Sequence, residues 1–211
     1  MCFGSLPEDY VYLDKIDLMH NKKQFWIVNG LSLAIMIIMI VAGYFIDHSW
    51  SDNSTEVIIA VVVMFVSYVL YIVLHELTHL IVMRISVKAK FNFGFNGWAA
   101  YAGSTGFFDK AHYIAIALAP LVVWGIVFSV LTVFFHTGIW FWVIWALQIG
   151  NVAGASGDLF CTYKMITYPK NILVRDTGTE MTVYRKKTEE ELSAMQTVEN
   201  FNDIDGGSEI D

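Results

Sequence analysis

Residues 57–83 read VIIAVVVMFVSYVLYIVLHELTHLIVM, an apolar run in which the only ionisable side chains are those of His75, Glu76 and His79. A helix that crosses a membrane needs about 20 consecutive apolar residues, and this run is longer. Ionisable groups are costly in hydrocarbon, so those that stay there have partners and usually a function. The stretch therefore predicts a membrane-spanning helix that carries a polar site.

Three further apolar runs cover residues 25–46, 111–135 and 138–163. Apolar residues make up 56% and charged residues 16% of the 211-residue chain, whereas about a quarter of a globular domain is charged. This composition excludes a disordered chain and argues against a soluble domain. The formal net charge of −7 argues against nucleic acid as a partner. We expect an all-α membrane protein with four transmembrane helices, in a membrane-embedded domain of residues 1–187.

The lysines and arginines are confined to three segments of the chain. Three precede the first apolar run, four lie between the second and third, and six follow the fourth. Cytoplasmic loops of membrane proteins carry the excess of positive charge. We therefore expect a multi-pass protein of the cell membrane with both termini and the middle loop in the cytoplasm. The thirteen residues are Lys15, Lys22, Lys23, Arg84, Lys88, Lys90, Lys110, Lys164, Lys170, Arg175, Arg185, Lys186 and Lys187.

The segments outside the apolar runs give weaker signals. Residues 91–108 are aromatic and glycine-rich, and Phe alternates with other residues at their start, which is typical of a strand. We expect a cytoplasmic hairpin or re-entrant loop there, the alternative being an aromatic belt that anchors the loop. Residues 172–185 predict two short strands around an Asp-Thr-Gly turn. Residues 188–211 hold eight acids and no base, which predicts a disordered tail after a short helix with a Thr188–Glu191 capping box.

The sequence His-Glu-Leu-Thr-His at 75–79 has the spacing of a metal site. Residues four apart lie on one face of a helix, about one turn from each other. His75 and His79 could therefore bind one tetrahedral Zn²⁺, and Glu76 is placed to act on water at the metal. The alternative is a polar cluster that only packs helices together.

Asp158 is the candidate for the third zinc ligand, because the fourth run carries no other carboxylate. At about 1.5 Å per residue, it and the two histidines lie at similar depth from the basic end of their helices. Gly150 and Gly154 precede Asp158 at intervals of four, so we expect one helical face that approaches a neighbouring helix closely. The alternative is a glycine-rich packing seam in which Asp158 caps a helix. Asn151 either binds substrate or forms a hydrogen bond between helices.

Three motifs resemble those of a bacterial family of membrane proteins known as zincin peptidases. They are H-E-L-T-H at 75–79, A-L-A-P-L at 117–121 and G-D-L at 157–159. That family is similar to the site-2 intramembrane metalloproteases. The resemblance covers roughly residues 60–187.

The resemblance implies zinc held by His75, His79 and Asp158, with Glu76 as the catalytic base. In the site-2 family, the second motif is an Asn followed by prolines and then Leu-Asp-Gly. Here Asn151 precedes Asp158, the prolines are missing, and Gly comes before Asp. The match is therefore closer for the ligand Asp158 than for Asn151.

These observations predict a zinc-dependent intramembrane peptidase that cuts a membrane-associated protein or peptide near the cytoplasmic face. Within the bilayer, a helical substrate must unwind before it is cut, and the strand with Phe93 and Phe95 could hold the extended segment by adding a strand. The alternative function is a membrane zinc-binding protein without catalytic activity, of an accessory or immunity type.

Overall fold

The computed structural model describes residues 2–18, 20–47, 49–95, 100–178 and 180–194. In these ranges the fold is mostly helical, with two small antiparallel sheets. The helices are α1 (Lys22–Ile46), α2 (Ser54–Ser86), α3 (Lys110–Phe134), α4 (Gly138–Gly154) and α5 (Ser156–Thr167). The strands are β1 (Tyr10–Ile16), β2 (Phe91–Phe95), β3 (Ala100–Ser104), β4 (Phe108–Asp109), β5 (Ile172–Asp176) and β6 (Met181–Lys186).

Four helical segments of the described chain are long and apolar enough to cross a membrane: α1, α2, α3 and the pair α4–α5. Their outward faces expose large apolar side chains, including Ile38, Phe65 and Val133, each more than 60% exposed. Such surfaces are unfavourable in water and favourable in lipid. The chain is therefore a multi-pass membrane protein, and its four spans agree with the four apolar runs.

Capping residues explain why the helices begin before the apolar runs do. The side chain of Asn21 accepts hydrogen bonds from the backbone N–H groups of Lys23 and Gln24, and Asn53 does the same for Thr55 and Glu56. An N-cap side chain satisfies donors that have no partner within the helix. Hydropathy marks only the part of a helix in lipid, whereas the cap sets its first residue.

A close contact at Gly43 holds α1 against α4. A Cβ atom on Gly43 would lie 2.4 Å from Nε1 of Trp145, and that nitrogen donates a 2.9 Å hydrogen bond to the carbonyl oxygen of Met39. The indole therefore fills the space that glycine leaves and finds its acceptor on the same helix. This contact places α1 beside α4, whereas α2 and α3 pack on each other and on α4.

The fourth apolar run is interrupted, which corrects the expectation of one continuous helical face. Helix α4 ends at Gly154 and α5 begins at Ser156, with Ala155 between them. Gly150 does lie against a neighbouring helix, since its Cβ would fall 2.3 Å from the ring of Tyr68, but nothing lies within 4 Å of a Cβ on Gly154. The break places Asp158 in the first turn of a new helix, where the helix dipole favours a carboxylate.

The larger sheet contains the two strands expected near the C-terminus and adds two more, in a fold that is otherwise mostly helical. It has the order β1-β6-β5-β4, and each strand is antiparallel to its neighbour. The strands β5 and β6 are the two predicted around the Asp-Thr-Gly turn, but their partner β1 comes from the segment before α1. One sheet thus joins the N-terminal segment, the start of α3 and the C-terminal hairpin at one end of the molecule.

The two segments next to the sheet are as expected, as far as they are described. Strands β2 and β3 pair with each other, which confirms the hairpin predicted within residues 91–108 in the part that the structure describes. Thr188 and Glu191 form the capping box, with hydrogen bonds of 2.8 and 3.3 Å between backbone N–H groups and side chains, and residues 189–194 are helical. The rest of the acidic tail lies outside the described residues.

The main apolar core lies where the sheet meets the helix ends. It contains Phe108, Val174 and Val183 from the sheet, all with no exposed surface, and Ile116 and Met165 from α3 and α5. Complete burial of a large apolar side chain stabilises the folded state by about 2 kcal/mol. The core therefore fixes the sheet to one end of the helix bundle.

This topology predicts which segments share a side of the membrane. Because the sheet joins both terminal segments, Glu8→Cys and Glu189→Cys should react with a membrane-impermeant maleimide from one side, and Asp52→Cys only from the other. The measurement is labelling of intact cells and of inverted vesicles, in a background with Cys2→Ala and Cys161→Ala. Labelling of Glu8→Cys and Glu189→Cys from opposite sides would contradict the four-span fold.

Candidate metal centre

Two helices bring three metal-ligating side chains together. His75 and His79 project from α2 with ring centroids 5.0 Å apart. Asp158 projects from α5, with one oxygen 3.4 Å from Nε2 of His75 and the other 3.5 Å from Nε2 of His79. The side chains are 13%, 10% and 25% exposed, respectively. The residues that the sequence singled out as zinc ligands are thus adjacent in space.

The ring of His79 is oriented by a backbone carbonyl of α3. Its Nδ1 lies 2.9 Å from the carbonyl oxygen of Ile116, which can only accept a hydrogen bond. That carbonyl is available because Pro120, four residues on, has no N–H to donate to it. Nδ1 of His79 therefore carries a proton, and Nε2 faces Asp158.

The ring of His75 is oriented through two side chains. Its Nδ1 lies 3.0 Å from the hydroxyl of Tyr71, which lies 3.0 Å from Oδ1 of Asn151. The amide nitrogen of Asn151 donates to the carbonyl oxygen of Leu121 at 3.1 Å, and Asn151 has no exposed surface. Of the two roles expected for Asn151, hydrogen bonding between helices is the one that the structure displays.

The donor set of this group fits a zinc ion. Ligand atoms around a tetrahedral zinc with bonds of about 2.0 Å lie about 3.3 Å from one another, close to the two observed separations from Asp158. Those separations are longer than the 2.7–3.2 Å of an ordinary hydrogen bond. In the tautomers with the proton on Nδ1, three acceptors converge: Nε2 of His75, Nε2 of His79 and the carboxylate of Asp158. A cation between them would satisfy all three, and two imidazole nitrogens with a carboxylate oxygen are ligands that zinc takes.

Glu76 faces a cavity beside this group. The cavity has a volume of about 260 Å³, and Glu76, His79 and Asp158 all line it. Tyr101 and Ala102 of β3 also line it, and the backbone N–H of Ala102 interacts with the carboxylate of Glu76. The carboxylate thus borders a space in which a substrate group and a water could sit beside the candidate ligands.

Phe93 and Phe95 lie one strand away from that cavity. Both are on β2, 47% and 69% exposed, and neither lines the cavity. The strand nearest the candidate centre is β3, with Ala102 paired to Phe93 across the hairpin. The structure therefore places the two phenylalanines on the hairpin's outer strand.

Two residues of the cavity wall escaped the sequence analysis. The hydroxyl of Tyr113 donates to Oδ2 of Asp176 at 2.9 Å, and the backbone N–H of Gly178 donates to Oδ1 at 2.8 Å. Burial raises the pKa of the Asp176 carboxyl, against the effect of these two bonds. The only local sequence signal for these residues is the Asp-Thr-Gly motif, which predicts a turn but not that the turn lines a cavity.

The same turn closes the end of the cavity by a tight backbone approach. Gly178 has φ of +84°, which suits glycine. A Cβ on Gly103 of β3 would lie 2.1 Å from the backbone carbon of Thr177. The absence of both side chains lets the β5–β6 turn pack directly on β3.

A second group of possible ligands consists of Cys2, Asp109 and His112. Its geometry is that of a helix cap: Asp109 accepts bonds from the backbone N–H and from Nδ1 of His112, at 2.9 and 2.8 Å. Burial raises the pKa of Asp109, but these bonds outweigh it and lower the pKa to about 2. We therefore assign this group to the start of α3.

Comparison with models of protein families matches residues 68–173 to the family described as "Putative zincin peptidase". The matched segment contains both histidines, Glu76 and Asp158. Neither the curated proteins nor the solved structures gave a match.

The geometry predicts one zinc per chain, bound by the cluster in the helices. Metal analysis of the detergent-purified protein should find about one equivalent, which His79→Ala and Asp158→Ala should each remove because two ligands bind zinc weakly. His112→Ala is the matched control and should keep the zinc. Loss of zinc in the control, with retention in the other two variants, would place the metal at the start of α3 instead.

Proposed function

Because the chain belongs to the zincin peptidase family, we propose that it is a zinc-dependent intramembrane peptidase. It would hydrolyse a peptide bond of a membrane-associated protein or peptide. The observation that carries this proposal is the convergence of His75, His79 and Asp158 beside Glu76, at a cavity. A purely structural zinc site would not need a carboxylate in that place.

The roles of the residues follow from their positions. Zinc bound by His75, His79 and Asp158 would polarise the scissile carbonyl and lower the pKa of water. Glu76 accepts a proton from the water that attacks the carbonyl carbon, and it passes that proton to the nitrogen of the leaving amine. One water is consumed, the C–N bond breaks, and a carboxylic acid and an amine result.

The hairpin is the element that we expect to hold the substrate. A peptide bond inside a helix is already hydrogen-bonded and hidden, so the substrate must be extended at the cut. An extended segment can add to a strand through main-chain hydrogen bonds, and β3 lines the cavity while β2 carries Phe93 and Phe95 at its outer side. We propose that the hairpin supplies this edge and that the two phenylalanines contact the substrate or the lipid around it.

The position of the basic residues supports a centre that opens to the cytoplasm. The sheet gathers both terminal segments and the start of α3 at one end of the molecule. The basic residues flank the spans at that same end, and none lies in the described part of residues 47–56. By the positive-inside rule, that end is cytoplasmic. Besides the substrate, the proposed partner is the lipid bilayer, which would contact the exposed apolar faces of the helices.

The substitution Glu76→Gln separates catalysis from zinc binding. Without a proton acceptor, cleavage should fall by at least about 100-fold, while the zinc content stays at the wild-type level. The measurement is quantitative mass spectrometry of new amino termini in membrane proteins, in cells that express either form at equal level. Glu180→Gln is the matched control, since Glu180 also lines the cavity but pairs with Lys15.

Fragments that persist unchanged in Glu76→Gln would refute the role of Glu76. If neither form produced fragments and the variant kept the cellular phenotype of the wild type, the chain would be a non-catalytic zinc-binding protein of the accessory or immunity type.

A further inference from the structure

Both candidate histidines are held by backbone carbonyls of α3, but by routes of different length. His79 reaches the carbonyl of Ile116 directly. His75 reaches the carbonyl of Leu121 only through Tyr71 and Asn151. The two carbonyls lie on either side of Pro120. Because of the longer route, the orientation and tautomer of His75 depend on Tyr71 and Asn151, which are not among the candidate zinc ligands.

The direction of every hydrogen bond in the longer route is fixed from its far end. The carbonyl of Leu121 can only accept, so the atom of Asn151 that faces it is the amide nitrogen. Oδ1 of Asn151 then faces Tyr71 and accepts the single hydroxyl proton. The hydroxyl oxygen is left as an acceptor, and the group that donates to it is Nδ1–H of His75. The lone pair of Nε2 consequently points to Asp158.

The packing around Tyr71 and Asn151 leaves them little freedom to change partners. Tyr71 is 5% exposed, with its ring edge-on to those of Phe128 and Trp124 at centroid distances of 5.4 and 6.2 Å. Asn151 is fully buried. The rings and the burial of Asn151 therefore keep the hydroxyl and the amide in place beside His75.

We propose that Tyr71 and Asn151 are positioning residues that hold His75 in its Nδ1-protonated tautomer for zinc binding. The inference rests on the proposed function. Residues that orient a metal-ligating histidine in this way fix its tautomer and raise its basicity, and their loss weakens metal binding. A role limited to joining helices would instead affect the stability of the bundle with or without metal.

The test is the zinc dissociation constant of the purified protein, measured by competition with a chelator. Tyr71→Phe removes one oxygen atom and should weaken zinc binding about 10- to 100-fold. Tyr68→Phe is the matched control, because Tyr68 lies on the same helix and contacts the Tyr71 ring; it should stay within about twofold of the wild type. The visible spectrum of the cobalt-substituted protein should change in Tyr71→Phe and not in the control.

Asn151→Leu tests the direction of the hydrogen bonds that link Asn151, Tyr71 and His75. Without Oδ1, the hydroxyl of Tyr71 is free to donate to Nδ1 of His75, which would move the imidazole proton to Nε2. Zinc binding should weaken at least as much as in Tyr71→Phe, and the double variant should be no weaker than Asn151→Leu alone, because the residues act as one unit. Additive losses would overturn the proposal.

Two further outcomes separate this proposal from the proposed function. Zinc binding that is tight in the wild type and unchanged in Tyr71→Phe would overturn the positioning role alone. No zinc in the wild type would overturn both. Nitrogen NMR of labelled histidine in the zinc-loaded wild type tests the tautomer without any variant: a protonated Nδ1 on His75 supports the proposal, and a protonated Nε2 refutes it.

Discussion

Each imidazole at the candidate centre lies in a membrane-spanning helix, where its polar atoms must find partners within the protein. An unpaired polar group in hydrocarbon costs several kcal/mol, and each ring has two nitrogens. Nδ1 of His75 is hydrogen-bonded to the hydroxyl of Tyr71, and Nδ1 of His79 to the carbonyl oxygen of Ile116. Nε2 of each ring faces the carboxylate of Asp158. The need for partners explains the rest of the site, because a cation bound by both Nε2 atoms and the carboxylate of Asp158 would give the Nε2 atoms a partner as well.

Helix α3 contributes to the centre without supplying a ligand. Pro120 leaves the carbonyl of Ile116 without its helical partner, and His79 uses it. One residue past the proline, the carbonyl of Leu121 anchors Asn151. A break in regular helix hydrogen bonding is tolerated in a membrane where neighbouring helices satisfy the freed groups. The A-L-A-P-L segment thus has a physical reason to accompany the histidine motif.

The sheet gives the centre its boundary. The β5–β6 turn packs directly on β3 because Gly178 and Gly103 have no side chains, and β3 lines the cavity together with Glu76. Strand β1 ties the N-terminal segment to the same sheet. The cavity therefore lies where the helix bundle meets the sheet.

The sequence predicted the four spans and the proximity of Asp158 to the histidines, because length, hydropathy and depth along a helix are local properties. It did not predict β1, whose partner β6 lies more than 160 residues along the chain, or the break at Ala155. It singled out Asn151 but not Tyr71, and it did not predict that the two act together on His75. Tyr71 lies one turn before His75 on α2, so that contact is local, but the links from Tyr71 to Asn151 and from Asn151 to Leu121 exist only once α2, α3 and α4 are packed.

X-ray absorption at the zinc edge of the purified protein tests the central claim most directly. The account predicts a shell of nitrogen and oxygen atoms at about 2.0–2.1 Å, with the multiple-scattering pattern of two imidazole rings and no sulfur. A shell that contains sulfur, or only one imidazole, would contradict a centre built from His75, His79 and Asp158.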